Sequence, residues 1–119
     1  MPQELTAQTF PEAVNKDGIV FVDFWAAWCG PCRSFAPTFE AAATDNPDIT
    51  FGKVDTEAEQ ELAAAAGIRS IPTLMAFRDG VLVFNQAGAL PRPALDELIG
   101  AVRGLDMDKV RQQLASQQA

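Results

Sequence analysis

The chain has 119 residues, with nine Lys or Arg, sixteen Asp or Glu, no His and a formal net charge of −7. That length makes a single domain that buries about two thirds of its unfolded surface and folds without staples, and the acidic balance argues against nucleic acid or an anionic membrane as partner. Met1 to Thr6 has neither a basic start nor an apolar core of signal-peptide length, and no later run approaches a membrane span, so a soluble cytoplasmic protein with protein or small-molecule partners is expected.

In chain order, helix and strand patterns alternate. Thr9-Phe10-Pro11-Glu12 has the spacing of a capping box and predicts a short helix ended by Asp17-Gly18. Ile19 to Trp25 is an apolar run interrupted once, as in a strand covered on both faces. Phe35, Phe39 and Ala43 then mark one face of a helix that Pro37 should kink and Asn46-Pro47 stops. Ile49 to Asp55 reads as a second strand, and Thr56-Glu57-Ala58-Glu59 as a capping box opening an alanine-rich helix that Gly67 closes. Thr73 to Arg78 and Val81 to Gln86 flank Asp79-Gly80, a strong hairpin signal, so these strands should pair antiparallel. Leu95, Leu98, Ile99 and Val102 predict an amphipathic helix that lacks a capping side chain at Pro91 and ends at Gly104. A tail helix is expected from Asp106 to about Ser116, with Met107, Val110 and Leu114 on one face. The order βαβ then ββα implies an α/β fold, a mixed central sheet flanked by helices with an extra short C-terminal helix.

The only two cysteines stand in Trp28-Cys29-Gly30-Pro31-Cys32, directly after the first long strand. Pro31 suits the first turn of a helix, where its missing N–H loses no hydrogen bond. Cys29 therefore falls at a helix N-terminus, where free N–H groups and the helix dipole favour a thiolate. With a second thiol three residues on, a reversible dithiol/disulfide pair is the chemistry that fits. A closed zinc site would need two further Cys or His ligands that the chain lacks, leaving only a metal shared between two chains as the metal alternative. A purely structural disulfide would close too short a loop to gain much.

Val22-Asp23-Phe24-Trp25-Ala26-Ala27-Trp28-Cys29-Gly30-Pro31-Cys32-Arg33 resembles the active-site segment of the thioredoxin family. Gly67-Ile68-Arg69-Ser70-Ile71-Pro72-Thr73 resembles its cis-proline loop and Gly88-Ala89-Leu90 its third substrate loop, and the resemblance runs from about Leu5 to Gly104. It implies a thioredoxin domain over 1–104 with a helical extension over 105–119. It also implies a protein-disulfide reductase in which Cys29 attacks a substrate disulfide and Cys32 resolves the mixed disulfide. No bound cofactor or metal is expected, and electrons would come from NADPH through a flavin-containing thioredoxin reductase. That reductase and disulfide-containing proteins are the expected partners of a chain expected to be monomeric.

Asp23 is the one ionisable residue inside an apolar strand, so burial should raise its pKa toward neutral and suit it to accept the Cys32 proton; the plainer reading is a strand-end aspartate capping a turn. Lys53 shares the face of Phe51, and the resemblance places it near Asp23 to tune it, with a solvated strand residue as the alternative. The resemblance puts a cis bond before Pro72, turns Ile71 and Thr73 toward substrate, and gathers Trp28, Gly30, Pro31, Ile71, Pro72, Ala87, Gly88 and Ala89 into a shallow apolar surface. Trp25 reads as core. Three departures touch partner choice rather than chemistry: the small Ala87, Pro91 in place of a capping residue, and the continuation past Gly104. An exported thiol oxidase, or a binding and assembly module with incidental cysteines, are the rival readings.

Overall fold

The structure, a computed structural model, describes residues 1–118. Five strands, β1 (Gln3–Glu4), β2 (Ile19–Trp25), β3 (Thr50–Asp55), β4 (Thr73–Arg78) and β5 (Val81–Ala87), form one sheet in the order β1-β3-β2-β4-β5. β1 and β2 run parallel to β3, while β4 is antiparallel to β2 and β5 to β4. The mixed sheet expected from the element order is therefore present. The helices are α1 (Phe10–Val14), α2 (Gly30–Asp45), α3 (Gln60–Ala65), α4 (Arg92–Arg103) and α5 (Met107–Gln118).

The alternation of β2 divides the core. Phe21 points to the layer holding Phe35, Phe39 and Ala42 of α2 and Leu95, Ile99 and Val102 of α4. Val20, Val22 and Phe24 point the other way, to Val14 of α1, with Leu62 of α3 and the following Ala66 packed alongside. A central strand buried on both faces explains why its sequence reads as almost unbroken apolar residues. The exception, Asp23, lies on the α2 face by the two-residue strand period.

Both capping boxes expected from the sequence fail to form. Thr9 Oγ1 instead accepts the Thr6 N–H at 2.8 Å, and Thr6 takes the capping part, its carbonyl accepting the Phe10 N–H and its Oγ1 the Thr9 N–H. At α3, Asp55 Oδ1 accepts the N–H groups of Glu57 and Ala58, Thr56 Oγ1 donates to the Trp25 carbonyl, and Glu59 Oε1 accepts the Ala7 N–H. The short Asp55 carboxylate reaches its own following N–H groups, so the helix begins later, at Gln60.

The hairpin signal holds: Asp79 and Gly80 have φ of 52° and 82°, the two positive values of the tight turn that matches strand twist. β1 has no counterpart among the sequence expectations. It is two residues long, and its placement depends on Gly52, where an added Cβ would come within 2.5 Å of Leu5 Cδ1.

Candidate functional site

β2 ends at Trp25 and α2 starts at Gly30, with Cys29 as its N-cap in extended conformation and Pro31 in the first turn. The Cys32 N–H donates to Cys29 Sγ at 3.2 Å. One of the unpaired donors of the helix start thus bonds to sulfur, the interaction that stabilises a thiolate. Cys29 and Cys32 form a disulfide, with Cα atoms 5.2 Å apart. Arg33 Nη1 donates to the Ala27 carbonyl at 2.9 Å and ties the loop to the helix.

Three segments distant in sequence converge on this disulfide. The Ile71-Pro72 bond is cis, and the Ile71 carbonyl oxygen lies 3.7 Å from Cys29 Sγ. Gly88, at φ 110°, a value that disfavours any side chain, donates its N–H to the Pro72 carbonyl at 2.7 Å. Trp28 is 67% exposed, and its Nε1 donates to Glu57 Oε1 at 2.6 Å. Trp28, Cys29, Gly30, Pro31, Arg69 and Ile71 border an open groove of about 640 Å³ that continues onto α3. Ala87, Gly88 and Ala89 are exposed but do not line that groove.

The expectations are corrected at two residues. Thr73 does not face outward: it is 5% exposed, and its Oγ1 donates to the Ser70 carbonyl at 2.6 Å, holding the loop from below. Pro72 is fully buried and lies beneath the surface it was expected to join, while Cys29 and Cys32 are nearly equally buried at 3% and 2% exposed. The cysteines differ in what they face. Cys29 borders the open groove, whereas Cys32 borders a smaller cavity of about 110 Å³ with Asp23, Trp25 and Lys53. Glu57 is an addition that no sequence signal marks. Because β2 and β3 are parallel with Trp25 opposite Asp55, the loops that follow them lie side by side, and Glu57 meets Trp28.

Asp23 is 4% exposed and pairs with Lys53 in the β2–β3 register. Burial raises its pKa from the ordinary 3.8 to about 7, with the Lys53 charge opposing the rise. Lys53 Nζ also stands 5.5 Å from the centre of the Trp25 ring, within cation–π range. No group of three or more His, Cys, Asp or Glu able to hold a metal occurs among the described residues.

A disulfide at a helix N-terminus, edged by a groove of exposed backbone and apolar surface and backed by a carboxyl near neutral pKa, defines a thiol–disulfide oxidoreductase. Known proteins agree. The thioredoxin family model matches residues 1–101. The chain is 58% identical over 116 residues to putative thioredoxin 2 of Streptomyces coelicolor, covering 98% of this chain and 87% of that one. It is 42% identical over 101 residues to a thioredoxin of Rhodospirillum rubrum, covering 83% and 97% respectively. The solved structure of a mutant thioredoxin from Halobacterium salinarum superposes with a TM-score of 0.81 at 33% identity, covering 88% of this chain and 93% of the other.

The chain belongs to the thioredoxin family. It has the thioredoxin fold, Cys29 and Cys32 are its redox-active pair, and its activity is that of a protein-disulfide reductase, which needs no bound cofactor.

Proposed function

We propose that Cys29 is the attacking thiolate and Cys32 the resolving thiol. Cys29 Sγ attacks a substrate disulfide, one substrate sulfur leaves as thiolate, and a mixed disulfide forms. Cys32 gives its proton to Asp23 and attacks Cys29 Sγ, which releases the second substrate sulfur as thiolate and leaves the Cys29–Cys32 disulfide. The observation that carries this order is the Cys32 N–H donating to Cys29 Sγ at the start of α2, because it stabilises negative charge on Cys29 alone.

In this reading Lys53 keeps the Asp23 pKa from rising further. The substrate chain lies along Trp28, Gly30, Pro31 and Ile71, where the Ile71 backbone offers strand-like pairing. Pro72 shapes this surface from beneath, and Ala87, Gly88 and Ala89 extend it. The reducing equivalents come from NADPH through a thioredoxin reductase, the compartment is the cytoplasm, and the protein works as a monomer. Residues 1–104 carry the chemistry and residues 105–119 are an extension. Insulin reduction with a thioredoxin reductase and NADPH tests the assignment. Turnover should require both thiols, and full turnover by a Cys29→Ser, Cys32→Ser variant would refute it.

A further inference from the structure

Cys32 does not line the groove that Cys29 borders; it opens on the separate cavity of about 110 Å³. Two walls of that cavity are long elements: β2 and β3 supply Asp23, Trp25 and Lys53, and α2 supplies Arg33, Glu40 and their neighbours. The remaining lining residue is Pro2, which belongs to neither wall. Pro2 directly precedes β1, the strand at the sheet edge beyond β3, so it closes the end of the cavity on that side. Little holds it there. Met1 is fully exposed, as are both residues of β1, and Pro2 has no N–H to add to the β1–β3 pairing, so its hold is its half-buried ring. The first firm anchor is Leu5, which is 4% exposed, donates its N–H to the Lys53 carbonyl at 2.9 Å and packs over Gly52, where a Cβ would leave it no room. Segments with few buried contacts open locally at low cost.

We infer that residues 1–4 are a strap, hinged at Leu5, that closes a rear entrance to Cys32, and that small thiol-reactive molecules reach Cys32 by this entrance rather than through the substrate groove. Roughly 10 Å of chain separates Pro2 from Leu5 at the rise of a strand, enough to lift the ring off the cavity while the anchor stays in place. The strap matters most while Cys29 is tied to a substrate. The groove is then covered and Cys32 is a free thiol, a consequence that rests on Cys32 as the resolving thiol. With the strap closed, Cys29 Sγ is the electrophile within reach of Cys32, and the mixed disulfide is resolved before another reagent diverts the thiol.

A Cys29→Ser protein isolates Cys32, and iodoacetamide is the probe: the thiol loses its proton to solvent, its sulfur forms a thioether and iodide leaves. Pro2→Gly in this background removes the ring and keeps β1. It should speed alkylation of Cys32 about tenfold, the effect on the open population of losing one small apolar contact. In a Cys32→Ser background the same substitution should leave alkylation of Cys29 unchanged, because Pro2 does not line the groove. An unchanged Cys32 rate, or equal acceleration of both cysteines, overturns the inference. With Pro2 in place, alkylation of Cys32 in the Cys29→Ser protein should proceed through a local opening and so respond weakly to low urea. A rate that instead rises in step with global unfolding overturns the inference as well.

Discussion

Asp23 couples the chemistry of the site to the stability of the fold. Burial holds its carboxyl pKa near 7 against 3.8 in an unfolded chain, with Lys53 limiting the rise, so the folded state binds the proton more tightly. The Asp23 contribution to stability should be greatest below about pH 4, fall as the pH rises toward 7, and level off above that, by at most about 4 kcal/mol. Asp23→Asn should flatten this decline and stabilise the protein by about 2–4 kcal/mol above pH 7, while slowing mixed-disulfide resolution. Urea unfolding of both proteins at about pH 5 and pH 8 checks the first effect, and a stability difference between wild type and Asp23→Asn that does not change between the two pH values would show that Asp23 does not titrate there. The cysteines give a second expectation at this scale. Brief iodoacetamide treatment of the reduced protein near neutral pH should label Cys29 and spare Cys32, because only Cys29 faces the groove and accepts the helix N–H. Equal labelling by mass mapping would defeat the assigned roles.

Among the elements, α4 and the start of the tail depend on one side chain of β4. Arg78 Nη1 donates to the carbonyls of Val102, Arg103 and Leu105 at 2.8, 3.1 and 2.7 Å. A guanidinium at a helix C-terminus satisfies orphan carbonyls and complements the negative end of the dipole. Arg78→Met should cost about 2 kcal/mol, seen as a Tm lower by several degrees, with insulin-reductase turnover unchanged because Arg78 lies at the end of β4 away from Thr73 and the disulfide. A turnover that falls in step with stability would contradict the separation. α5 follows the sequence expectation in its cap, Asp106 Oδ1 accepting the N–H groups of Asp108 and Lys109. It exceeds the expected length, running to Gln118.

For the molecule as a whole, the tail is anchored to the domain at its start. Leu105 packs against the α2–α4 core layer and Met107 is buried, whereas Leu114 stays exposed. Truncation after Gly104 removes the Leu105 carbonyl from Arg78 and the Met107 side chain from the core. The truncated chain should melt about 5 °C lower, stay monomeric by light scattering and keep its turnover. A full-length dimer that dissociates on truncation would assign the tail to an interface instead.

The sequence by itself determined the order of the elements, the tight turn at Asp79-Gly80 and the cysteine pair at a helix start. Each of these rests on local physics: side-chain periodicity, turn conformation, and the proline and cysteine chemistry of a single segment. It also marked Asp23, because one carboxyl in an apolar strand stands out wherever the strand packs. Only the tertiary structure decided the partners of groups that had a choice. The Thr56 hydroxyl could have capped α3 but bonds to the Trp25 carbonyl, which the parallel register brings alongside. Thr73 turns beneath its loop, Glu57 reaches Trp28, and Trp25 borders the cavity of Asp23 and Cys32. Such pairings depend on where strands far apart in sequence end beside one another, and a hydrogen bond is directional and short enough that no pattern along one strand encodes it.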